Sequence, residues 1–66
     1  MSEEILRDRY GNRRGAIVTE SNGKQVAKDR YGNKLGEYDP SSNTTRDRYG
    51  NKLGQGNFLA SLIEML

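Results

Sequence analysis

The chain has 66 residues, of which 11 are Lys or Arg and 9 are Asp or Glu, for a net charge of +2; hydrophobic residues make up 32%. A chain this short buries only about 60% of the surface its unfolded form exposes, and with neither Cys nor His it has no disulfide and no common zinc ligand set to reinforce it. Nucleophilic triads and His-based acid–base pairs need one of those two residues, so the expectation is a protein that is not an enzyme, with no catalytic, metal or cofactor site.

In chain order, Met1-Ser2-Glu3-Glu4 is acidic where a secretory signal is basic and then apolar. No apolar run approaches the roughly 20 residues of a membrane span. No membrane association and a cytoplasmic location are therefore expected.

A nine-residue unit follows, Arg7-Asp8-Arg9-Tyr10-Gly11-Asn12-Arg13-Arg14-Gly15. It returns as Lys28-Asp29-Arg30-Tyr31-Gly32-Asn33-Lys34-Leu35-Gly36 and as Arg46-Asp47-Arg48-Tyr49-Gly50-Asn51-Lys52-Leu53-Gly54, at a spacing of 21 and then 18 along the chain. Self-similarity of this kind is the first thing to read in a sequence, because it sets the architecture. Ten of the 11 cations lie inside the units, whereas Glu3, Glu4, Glu20, Glu37, Asp39 and Glu64 lie outside them. The repeats are basic and the connections acidic.

Gly followed by Asn in each unit suits the centre of a two-residue type II′ hairpin loop, and the Asp three residues before the Gly can bond nearby backbone N–H groups as Asx turns do. Asn22-Gly23 is a second hairpin signal, and Asp39-Pro40-Ser41-Ser42-Asn43 a Pro-initiated turn. Five turns then separate six extended segments, predicted at Ile5–Tyr10, Arg13–Glu20, Lys24–Tyr31, Lys34–Asp39, Thr44–Tyr49 and Lys52–Gln55. The predicted fold is mainly β: a single domain over 1–66, with an antiparallel meander of three repeat hairpins across 5–55. Side chains alternate faces along a strand, so the odd spacing of 21 would set Tyr10 and Tyr31 on opposite faces of a flat sheet. A bulge or bend at the final Gly of each unit (Gly15, Gly36, Gly54) would repair this, and a curved or rolled sheet is expected.

From Asn57 the pattern changes. Asn57 suits a helix N-cap, and at about 100° per residue Phe58, Leu59, Leu62, Ile63, Met65 and Leu66 share one broad face. A short amphipathic helix over 57–66 is predicted. Ten residues do not hold a helix alone in water, so this one must pack against its own sheet, a second copy or a partner's groove.

The stretch from Glu37 through Tyr38-Asp39-Pro40, Thr44-Thr45 and Tyr49-Gly50-Asn51-Lys52-Leu53 resembles the Tyr-Asp (YD) repeats of bacterial Rhs-type toxins and wall-associated proteins. Over about a third of the chain, the resemblance implies β-hairpins winding into a continuous sheet, with a structural, shell-building role. The chain departs from that pattern by having Arg-Tyr where the family has Tyr-Asp, by carrying only three units and by ending in a helix. It is also similar to small uncharacterised Arg-Tyr-Gly-Asn repeat proteins encoded in bacterial genomes. A bacterial or phage origin is implied.

The function expected is a non-catalytic structural or protein-interaction module. It would act as a homo-oligomer, or as a subunit bound to a larger partner through Phe58, Leu59, Leu62, Ile63 and Leu66. The alternative is a nucleic-acid-binding module. Three hairpins side by side would align Arg9, Arg30 and Arg48 with Tyr10, Tyr31 and Tyr49 into an anionic-ligand face suited to phosphate contact and base stacking. Against it stand the Asp in every unit, flanked by two cations, and the modest net charge. The flanking cations also argue against Ca²⁺ at the repeated Asp, and four Tyr, one Phe and no Trp argue against a sugar- or choline-binding hairpin array.

Overall fold

The computed structural model describes residues 1–64. Six strands follow one another: β1 (Ser2–Arg7), β2 (Arg13–Thr19), β3 (Gln25–Asp29), β4 (Lys34–Asp39), β5 (Thr44–Asp47) and β6 (Lys52–Gln55), then helix α1 (Leu59–Glu64). They form one antiparallel meander in the order β1-β2-β3-β4-β5-β6. The sheet is open, with β1 and β6 as its two edges, and does not close on itself.

The Arg-Tyr pairs, predicted to end strands, lie in loops. In the first, Gly11 N–H donates to the Asp8 carbonyl (3.0 Å) and Asp8 N–H to the Asn12 carbonyl (2.9 Å). The φ angle is positive at Gly11 (+84°) and at neither Arg9 nor Tyr10. This is a three-residue loop, a type I turn closed by a left-handed Gly in a G1 bulge, and it replaces the two-residue loop predicted from Gly-Asn. The same two bonds recur at Asp29–Asn33, at Asp47–Asn51 and, outside the repeats, at Glu20–Lys24. The remaining connection, Pro40 to Asn43, is four residues long between Asp39 and Thr44, with Asn43 left-handed (φ 51°) and its side-chain oxygen accepting from Tyr38 Oη at 2.7 Å.

Each repeat hairpin carries a second irregularity, one residue before the place expected. Leu6 pairs with Gly15 but Arg7 with Arg13, which leaves Arg14 as the extra residue. Leu35 and Leu53 are extra in the same way in the second and third units. These bulges dispose of the parity problem. The slip in the first hairpin survives the three-residue loop at 21–23, so Leu6 and Ala27 share a face despite their odd separation. The slip in the second is cancelled by the four-residue loop at 40–43, so Ala27 and Thr45, evenly separated, share it too.

That face carries the helix, which packs on β2, β3 and β4. Ala27, Leu59 and Ile63 form the buried centre, with Leu6, Ile17, Leu35, Tyr38 and Leu62 around them. The predicted cap is in place: Asn57 Oδ1 accepts from Leu59 N–H at 3.1 Å, satisfying a helix donor that would otherwise be orphaned. Thr45, fully buried, holds the approach to the helix from below, its hydroxyl donating to the Gly56 carbonyl and accepting from Phe58 N–H. In the sequence Thr45 stands out only within the Thr44-Thr45 pair of the YD resemblance, which does not mark it for this.

The final Gly of each unit is the bed on which these residues lie. A Cβ on Gly36 would stand 2.6 Å from the Arg46 carbonyl oxygen and 2.7 Å from Leu62 Cδ1, and one on Gly54 would stand 3.1 Å from Phe58 Cε2. A Cβ on Gly15 would collide with the Lys28 carbonyl and press on Ile63. The helix can sit this low only because the repeat ends in hydrogen.

Candidate binding row at the hairpin tips

Alternating strand direction puts loops 9–11, 30–32 and 48–50 at one end of the sheet and loops 21–23 and 40–43 at the other. The three repeat tips are two strands apart, which at 4.7–4.9 Å per strand is about 9.5 Å. The sheet therefore converts the basic repeats and acidic connections of the sequence into a molecule with a basic end and an acidic end. Ten of 11 cations flank the tips, whereas Glu3, Glu4, Glu20 and Asp39 lie toward the opposite end.

All six residues predicted for an anionic-ligand face are brought into this row, as loop residues rather than as a face of strands. Each Arg folds over the ring of the Tyr that follows it: the guanidinium carbon lies 4.9 Å from the Tyr10 centroid at Arg9, 4.9 Å from Tyr31 at Arg30 and 5.0 Å from Tyr49 at Arg48. Each also donates an Nη2 hydrogen bond to the same Tyr hydroxyl, at 2.8, 2.8 and 2.9 Å. The pairs are cation–π stacks that fix two long side chains in one posture. The rings remain exposed, at 73%, 75% and 74% for Tyr10, Tyr31 and Tyr49. Large aromatic surface so consistently exposed is informative where a scattered apolar residue would not be.

The Asp of each unit sets the loop under the pair. Asp8 Oδ1 accepts from the backbone N–H of Tyr10 and Asn12, both at 2.9 Å; Asp29 and Asp47 do the same. These bonds, led by the one from the Asn two residues past the Tyr, hold all three carboxyl groups below their ordinary value of 3.8, against the opposing effect of desolvation. Their charge is thus directed into the loop while the Arg charge faces outward. In the first and third units the leading Arg adds a clamp, Arg7 and Arg46 donating to the Gly11 and Gly50 carbonyls at 3.1 Å.

An open groove separates the first two tips, lined by Asp8, Asn12, Arg13 and Arg14 on one side and by Asp29, Arg30 and Tyr31 on the other. Arg14 stands where the later units have Leu, and it reaches the Glu64 carbonyl at 3.2 Å. Among the described residues no group of three His, Cys, Asp or Glu is placed to hold a metal ion, and no helix is long and apolar enough to cross a membrane.

The residues predicted to contact a partner through the helix are divided. Leu59 and Ile63 lie inside the chain's own core and Leu62 is half-buried; Phe58 alone among the described four is open, at 42%. Leu66, like Met65 on the predicted helix face, lies outside the described residues. The helix commits Leu59 and Ile63 to its own sheet, and the largest exposed aromatic surface among the described residues is at the tips. Comparison with protein-family models, with curated proteins and with solved structures gives no match.

Proposed function

We propose that this chain is a non-catalytic interaction module that grips an acidic, extended segment of a partner protein through its three Arg–Tyr tips. The observation that carries the reading is the threefold repetition of one exposed, internally braced Arg–Tyr pair along a single end of the sheet. A segment in the extended polyproline II conformation has three residues per turn and advances about 3.1 Å per residue, so an acidic side chain at every third position stays on one side and would meet each tip in turn. Each contact is a surface ion pair of modest strength, but three on one rigid row act together, and linkage multiplies weak affinities. The bracing lowers the ordering entropy that the Arg side chains would lose on binding.

A second reading is a nucleic-acid-binding module, favoured by exposed Tyr rings beside guanidiniums, the pairing that holds single strands by stacking and phosphate contact. One titration separates the two. Fluorescence anisotropy at low salt compares a labelled peptide bearing Asp at every third position with a single-stranded oligonucleotide of equal charge. The expected result is saturable peptide binding that outranks the oligonucleotide and falls at least tenfold when Arg9, Arg30 and Arg48 are all replaced by Ala. Stronger oligonucleotide binding, weakening steeply with salt, would instead favour the second reading. Undiminished binding by the triple variant would overturn both.

A further inference from the structure

The outer edge of β1 is the longer of the two open edges, six residues against four for β6. Every β1 side chain except that of Leu6 is exposed, Ile5 at 39%. Among the described residues no strand meets the outer row of its backbone N–H and C=O groups, which makes it a template for another strand. We propose that the strand it takes is β1 of a second copy, paired antiparallel, so that one twelve-strand sheet runs through a two-fold dimer.

The sequence of β1 selects this occupant and one register. A two-fold axis perpendicular to a continuous sheet keeps like faces together, so residues pair only with residues of the same parity. On the face opposite the helix stand Glu3, Ile5 and Arg7; on the helix face stand Ser2, Glu4 and Leu6. Centring the pair on Ile5 sets Glu3 of each copy opposite Arg7 of the other, twice, with Ile5 against Ile5 and Glu4 against Leu6. Moving the centre to residue 4 opposes the two Glu4 carboxylates, and moving it to residue 3 opposes the two Glu3 carboxylates. Moving it to residue 6 sets Glu4 against Asp8 and strands Arg7 on Ile5. Opposite charges directly across a strand pair are stabilising and like charges are not, so the Ile5-centred register stands alone. Charges on an edge strand usually serve to repel partners; here their antisymmetry about Ile5 repels all but one.

Two further facts support the pairing. The present bonds of these charges are light: Glu3 meets Arg13 at 3.9 Å with both exposed, and Arg7 shares its guanidinium with the Gly11 carbonyl. Antiparallel pairing also lays the basic tip end of each copy beside the acidic end of the other, so the two polar molecules attract along their whole length. The dimer would carry its tip rows at opposite ends, both helices on one face. Edge pairing of this kind does not depend on what the tips bind.

The test is a charge exchange read by sedimentation equilibrium over a concentration series. Glu3→Arg alone sets four arginines against each other at these positions, and Arg7→Glu alone sets four glutamates. Each single variant should dimerise on the order of tenfold more weakly than the wild type, and an equimolar mixture of the two should regain dimers, now mixed. Backbone amide exchange in wild-type β1, slowing as concentration rises, gives a readout that needs no variant. A wild type that stays monomeric across the series, single variants that dimerise as it does, or a mixture with no gain would each overturn the proposal.

Discussion

At the scale of single residues, the repeated Asp does the work of a turn template. Asp8, Asp29 and Asp47 accept backbone N–H groups only while the loop is folded, so the folded state favours the carboxylate and each carboxyl lies below 3.8; Asp39, bonded first by the Ser41 hydroxyl and then by its N–H, is lowered as well. A group with a depressed folded pKa stabilises the fold above its unfolded value and loses that contribution as pH falls through the folded value. The melting temperature should therefore be level above about pH 5 and decline below the ordinary 3.8, as followed by circular dichroism. Replacing all three repeat Asp by Asn should lower the plateau and flatten the decline; an unchanged acid limb would assign it to other carboxylates. The turn role of Asp was readable in the sequence because an Asp at that distance from a Gly has few other uses. The loop type was not, since Gly-Asn fits the centre of a two-residue loop as well as the close of a three-residue one. Bonding from Tyr and Asn to the same carboxylate decides between them.

At the scale of elements, the unit's final Gly and the helix explain each other. Helix, cap and apolar face could be read from the last ten residues because their periodicity is undisturbed by any Gly or Pro. The docking site could not, because a glycine at the end of a repeat reads equally as a bend, a bulge or a bed. The bulge proved to belong to the neighbouring Arg14, Leu35 and Leu53, and the glycine to Ile63, Leu62 and Phe58. Two alanine substitutions separate the two uses of glycine in this fold. Gly36→Ala must displace either the Arg46 backbone or Leu62 and should cost about 1–3 kcal/mol, as overpacking does. Gly32→Ala meets no atom within 4 Å but must hold φ near +88°, at roughly 1–2 kcal/mol. Gly32→Asn should recover part of that loss, because Asn tolerates the left-handed region, whereas Gly36→Asn should be worse than Gly36→Ala. Urea midpoints give all four values, and the reverse order would break the assignment.

At the scale of the whole molecule, the alternation of basic units with acidic connections is the property most completely visible in the sequence and most changed in meaning by the fold. A meander sends every second loop to the same end, so a charge pattern that alternates along the chain becomes a difference between two ends. The sequence offered Arg9 and Tyr10 as neighbours at the end of a strand; the three-residue loop 9–11 instead stacks them on each other. The helix, which promised the partner contact, is drawn onto its own sheet by Ala27 and the glycine bed. On the proposed reading the tips are the surface for binding. The most direct test is to map the acidic-peptide titration by two-dimensional ¹H–¹⁵N NMR. Shifts are expected to be confined to 8–12, 29–33 and 47–51, with all three tips saturating at one peptide concentration. Shifts centred on Phe58–Ile63, or in one tip without the other two, would contradict that reading.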